Sequence, residues 1–208
     1  MTLVDQTHPA PFVHYCHCGK WGAFGHGVFK GQQGVWYCGE HDPDRDGRTR
    51  CATLTSWESR MCTWVGKQRF ANAKRLDRDP GLGPSTLSDE HHIRGAHCEF
   101  AASIMTNLYW RPSIGELKSR DIGGLVEVRS TVRETGRLIV KPSDPDHAPF
   151  ALIVADMQAL QFRFAGWLFA REAKAWPLLT DHGDPAHFVE QSALRSRASL
   201  ADMLMDAR

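Results

Sequence analysis

Apolar residues recur along this chain with two different periods, and the change falls near residue 116. Before it, Leu54, Trp57, Met61, Trp64 and Val65 return at helical spacing as far as Gln68, and Thr55-x-x-Glu58 has the form of a capping box. This predicts a helix over about 55–76, broken by the run Asp79-Pro-Gly-Leu-Gly-Pro84. A second helix is expected over about 89–109, with Ile93, Ala96, Phe100, Ile104 and Leu108 on one face. Glu99 sits beside that stripe, where a carboxylate needs a partner.

After residue 116 the period shortens to two. Leu125–Val132 alternates, Arg137–Lys141 follows across a Glu134-Thr-Gly136 turn, and Gln161–Ala165 alternates again. Phe150–Ala155 is unbroken apolar sequence, which predicts a central strand buried on both faces. A short helix near 169–176, an extended segment at Ala186–Val189 and a tail helix capped by Ser192, with Leu194, Leu200, Met203 and Leu204 inside, complete the reading. Helices, then one mostly antiparallel sheet, then helices describe an α+β domain.

The first forty-odd residues follow neither period. Five glycines lie among aromatics between Trp21 and Tyr37, which suits a short hairpin with too little apolar bulk to fold by burial alone. Cys16 and Cys18 precede the hairpin, and Cys38-x-x-His41 closes it. Two pairs of soft ligands across a loop are what a structural, tetrahedral Zn²⁺ requires, and binding of about 10–16 kcal/mol would offset the missing core. Gly19 and Gly39 each follow a cysteine, where a turn with positive φ would present sulfur to metal. Cys51 could replace one ligand, and His14, His17 and His26 could compete. The chain thus divides into a zinc-binding hairpin module over 1–47, with Asp42–Gly47 as linker, and a main domain over 48–208.

Composition narrows the function classes. No apolar run reaches the roughly 18 residues of a membrane span. Residues 1–15 lack the order of a secretory signal, and three cysteines outside the zinc pattern point to a reducing cytoplasm. A zinc hydrolase is disfavoured, since no His-Glu-x-x-His occurs and four protein ligands leave no open position. Net charge is only +1, but residues 48–120 carry 12 basic side chains against 7 acidic ones. Lys67, Arg69, Lys74, Arg75 and Arg78 are the densest group, suited either to nucleic-acid phosphates or to a solvated helix face.

Asp121, a Gly123-Gly124 turn, and then Glu127 and Arg129 two apart on a strand form the other notable group. Period two places Glu127 and Arg129 on one face, with Val126 and Val128 behind. Two carboxylates so placed can share Mg²⁺, or Asp121 is a turn residue and Glu127 with Arg129 a cross-strand charge ladder. Asp144, Asp146 and His147 lie among Pro142, Pro145 and Pro149, which favours a solvated loop over a second metal group.

Across Glu99, Asp121 and Glu127-Val-Arg129, and roughly over residues 55–195, the chain resembles the PD-(D/E)XK nuclease superfamily. Gly166-Trp167 and His187–Gln191 are also similar to small phage and bacterial proteins of that type. The resemblance implies a restriction-endonuclease-like fold and Mg²⁺- or Mn²⁺-dependent cleavage of nucleic acid, DNA foremost. By that resemblance Asp121, Glu127 and the Val128 carbonyl would hold the catalytic cation, Glu99 would orient water and Arg129 would clamp the phosphate. Arg129 stands where the family has lysine; arginine keeps its charge, so it is no general base. The alternative is the same fold binding nucleic acid or a protein without turnover.

Overall fold

The computed structural model describes residues 18–19, 24–26, 35–37, 51–76, 89–114, 120–180 and 184–206. The chain divides into two compact units, Met1–Arg45 and Asp46–Arg208. In the first, β1 (Phe24–His26) pairs antiparallel with β2 (Val35–Tyr37), the hairpin expected from the glycine spacing. Cys18 is exposed, and Gly19 has φ +82°, the left-handed turn expected after that cysteine. Cys16, Cys38 and His41 lie outside the described residues.

The second unit opens with β3 (Cys51–Thr53), a three-residue strand too short to leave a period in the sequence. Helix α1 (Ser56–Arg75) follows at once because Thr55 and Glu58 close the reciprocal capping box. Helix α2 (Glu90–Thr106) ends where Asn107 turns left-handed, at φ 55°. The two helices do not meet along the stripe of large residues that the sequence suggests. Trp57 and Trp64 are 66% and 58% exposed, and Ile104 of α2 is also exposed. The buried sides carry Cys62, Val65 and Gly66 against Ala96, Ala101 and Ala102. Small residues let the backbones approach: a Cβ on Gly66 would collide with the Ile93 backbone. The thiols of Cys62 and Cys98, enclosed here, are pushed up to about 12, first by burial.

The strands form two sheets rather than one. The larger has the order β3-β7-β6-β4, with β4 (Glu127–Thr131), β6 (Pro149–Asp156) and β7 (Gln161–Phe169). Its β4 runs parallel to β6, with Glu127 opposite Phe150, while the other pairs are antiparallel. The expected hairpin between β4 and β5 (Leu138–Val140) does not form. Instead β5 pairs with β9 (Ala186–Val189), which pairs with β8 (Leu178–Leu179).

The reason lies in β6, which is central and buried on both faces as its composition predicts. Ala151, Ile153 and Ala155 face the helices. Phe150 and Leu152 face the other way and need a second cover, which Leu138, Val140, Val189 and α3 (Ala170–Ala173) supply. The register shifts between Leu152 and Ile153, opposite Gly166 at φ +146°. A Cβ there would collide with the Leu194 side chain. Ser192 lies in a 3₁₀ turn, Gln191–Ala193, and caps no helix; α4 (Arg197–Asp206) begins four residues beyond that turn and buries Leu200 and Leu204. Among the described residues no helix is long and apolar enough to cross a membrane.

Candidate functional site

The candidate site is assembled at the start of β4. Ile122 exchanges backbone bonds with Val126 around Gly123 and Gly124, both at positive φ, so the chain reverses tightly between Asp121 and Glu127. Asp121 is half-buried and accepts the Val128 N–H at 2.7 Å, which fixes its carboxylate at the mouth of this turn. Glu127 is half-buried and meets no hydrogen-bond donor among the described residues.

Glu99 reaches the site from α2 with 6% of its surface exposed. Its two oxygens take both ends of the Arg69 guanidinium, at 2.6 and 2.8 Å, and Oε2 also accepts the Trp110 indole N–H at 3.0 Å. The partner demanded by a carboxylate beside an apolar stripe is therefore Arg69. That corrects two sequence expectations. Arg69 belongs to no phosphate-binding face, since its Nε is also bound, to the Ser113 carbonyl. Glu99 has most of its acceptor capacity committed to Arg69 and Trp110, which leaves little with which to orient a water.

Electrostatics tie the three acids together. Burial pushes the Asp121 carboxyl well above the usual aspartate range, and the like charges of Glu99 and Glu127 push it further. The Val128 N–H and Arg69 pull it down by less. Burial also raises Glu127, against the pull of Arg129 and Arg120. Among the described residues no group of three or more His, Cys, Asp and Glu side chains could hold a metal ion. The donor set that remains is the pair Asp121 and Glu127, and Mg²⁺ commonly binds one or two carboxylates and keeps several waters. The two carboxylates are of the kind such an ion takes; among the described residues a three-carboxylate site does not form.

Arg129 shares the face of Glu127, as period two requires, but it is already engaged. Its Nη2 donates to both oxygens of Asp144 at 3.2 and 3.1 Å, its Nε donates to the Ile139 carbonyl at 3.3 Å, and its guanidinium lies 4.7 Å over the Phe150 ring. Asp144 beside Arg129 and Trp110 beside Glu99 are contacts the sequence does not reveal, because only the fold brings these residues together. The proline-rich loop holds no second metal group among the described residues: Asp146 pairs with Lys174 at 2.5 Å.

On the outer side of α1, Lys67, Lys74 and Arg75 are exposed, and Arg78 lies outside the described residues. Steps of three, four and seven residues place Trp57, Arg60, Trp64, Lys67 and Lys74 on one exposed stripe about 25 Å long. Arg60 lies over the Trp57 ring at 5.9 Å. Aromatic faces interleaved with cations suit stacked bases and phosphates. No family model, curated protein or solved structure matches the chain.

Proposed function

We propose that the chain is a metal-dependent nuclease that hydrolyses phosphodiester bonds in nucleic acid, with DNA the first substrate to test. One observation carries the reading: Asp121 and Glu127 flank one tight turn, both half-buried, and each carboxyl is raised by burial first and by neighbouring acids as well. A divalent cation bound by this pair would relieve the like charges. Mg²⁺ or Mn²⁺ between these two carboxylates would supply the Lewis acid that polarises a phosphoryl oxygen.

The other residues act around that pair. The Val128 N–H aims Asp121, and the Arg69–Glu99 pair fixes charge behind it. Arg129, anchored on Asp144, offers positive potential to a phosphate lying along β4. The exposed tryptophans and lysines of α1 supply a surface for the rest of the strand.

Plasmid and single-stranded DNA should be cut in the presence of Mg²⁺ or Mn²⁺, and Glu127→Gln should cut at least about 100-fold more slowly. Equal cutting by the variant defeats the proposal. A second reading, a nucleic-acid or protein binder of the same fold without turnover, is favoured by the engagement of Arg129 and Glu99. It predicts DNA binding with no cleavage under any divalent ion.

We also propose that Cys16, Cys18, Cys38 and His41 hold a structural zinc that aids binding. Metal analysis should then find one zinc per chain, lost in Cys38→Ser. Full zinc retention in that variant refutes the ligand set.

A further inference from the structure

A cleft of about 560 Å³ opens where the end of β4 meets the outer side of the smaller sheet. One wall carries Arg129, Arg133 and Arg137; the other carries Ile139 of β5, Leu179 of β8 and Phe188 of β9. Among the described residues no Asp or Glu lines it. Its size falls within the range of about 300–1,000 Å³ typical of small-molecule sites.

The three arginines are not equivalent. Arg129 is committed to Asp144, and Arg137 shares an exposed pair with Glu190 at 2.8 Å. Arg133 makes no ion pair among the described residues, and it is exposed. The hydroxyls of Thr131 and Thr135 stand on the same wall, while that of Ser130 turns to the other face of β4 and accepts from Arg94 Nε at 3.3 Å. Gly136 keeps the rim closed against β4: a Cβ there would collide with the Thr131 side chain. The cleft therefore joins a cationic, hydroxyl-bearing wall to an apolar wall with one aromatic ring. The ligand that answers both walls has a compact anion at one end and a flat, apolar-faced ring at the other.

We propose that this cleft binds a nucleotide, its phosphate on Arg133 and Arg137 and its base on Phe188 and Ile139. Arginine is suited to phosphate because its fork matches two oxygens at once, and an aromatic face accepts any base by stacking. The same chemistry could come from a free mononucleotide or from the phosphorylated end of a strand. Binding here requires no hydrolysis at Asp121 and Glu127, so it stands or falls separately from the nuclease reading.

The experiment is calorimetric titration of full-length Glu127→Gln protein without added divalent ion. The probes are deoxyadenosine 5′-monophosphate, deoxyadenosine, inorganic phosphate, and one oligodeoxynucleotide with and without a 5′-phosphate. The nucleotide should bind at least about tenfold more tightly than the nucleoside or phosphate alone. Tighter binding by the 5′-phosphorylated strand assigns the cleft to strand ends; tighter binding by the mononucleotide assigns it to free nucleotides. Adding Arg133→Glu should weaken either ligand by about tenfold or more at unchanged melting temperature. Phe188→Ala should reduce the advantage of nucleotide over phosphate and leave phosphate binding alone. The proposal is overturned if no probe saturates below the millimolar range, or if Arg133→Glu binds as tightly as its parent.

Discussion

Asp121→Asn is expected to lower DNA cleavage by at least about 100-fold and, in the same protein, to raise its melting temperature. The two effects share one cause. The amide oxygen of the introduced asparagine would still accept the Val128 N–H, which Asp121 takes at 2.7 Å, so the turn into β4 is kept. What disappears is a carboxylate that burial and the charges of Glu99 and Glu127 disfavour in the folded state. Because its folded pKa lies above the unfolded value of about 3.9, the unfolded chain gives up this proton first as pH rises. Stability contributed by the protonated form is therefore lost from about pH 4 upward, and the penalty persists at neutral pH. The variant should escape it. A melting temperature about 2–4 °C higher, the change that 1 kcal/mol makes in a unit of this size, is the expected gain near neutral pH without added divalent ion. Below about pH 4 the two proteins should converge. In millimolar Mg²⁺ the order should narrow or reverse, since only the parent gains from binding the ion. A variant that loses cleavage and stability together at neutral pH would identify Asp121 as a scaffold residue.

How much of this was legible depends on the range of the interaction. Local signals carried through: the Thr55–Glu58 capping box starts α1 within one residue of the predicted point, and the apolar run at 150–155 is the central strand. Glu99 announced its need for a partner, but not which one. Lys67, Arg69, Lys74 and Arg75 look alike in one dimension, and only packing turns Arg69 inward to Glu99 while leaving the rest exposed. Bulk misled in the same helix. Trp57 and Trp64 fit the expected buried stripe, yet the helices meet through Gly66 and alanines, whose close approach no hydrophobic count registers. The adjacent Glu134–Gly136 turn suggested that β4 and β5 pair. The need to cover Phe150 and Leu152 wins instead and sends β5 to β9, far along the chain. The arginine cleft was invisible for that reason, since its walls belong to different sheets.

Arg69→Met should destabilise the second unit by about 3–5 kcal/mol, because it strands a buried carboxylate beside two others. In a unit of this size that is a fall in melting temperature on the order of 10 °C. Methionine replaces the apolar stem of arginine, so the loss reads the charge pair more than the packing. Adding Glu99→Gln should restore most of it: the amide oxygen can still accept the Trp110 indole N–H, and no unpaired charge remains. The pair also sets the electrostatics of the neighbouring acid. Arg69 pulls the Asp121 carboxyl down while Glu99 pushes it up, and the push from Glu99 is the larger. The single variant should accordingly move the acid limb of the pH–cleavage profile to higher pH. The double variant, which removes both influences, should move it below that of the parent. Chemical denaturation and cleavage profiles on the three proteins measure both parts. A single variant as stable as the parent would mean that water, not burial, surrounds the pair. Acid limbs that do not move while stability does would confine Arg69 and Glu99 to the scaffold and detach them from the chemistry at Asp121.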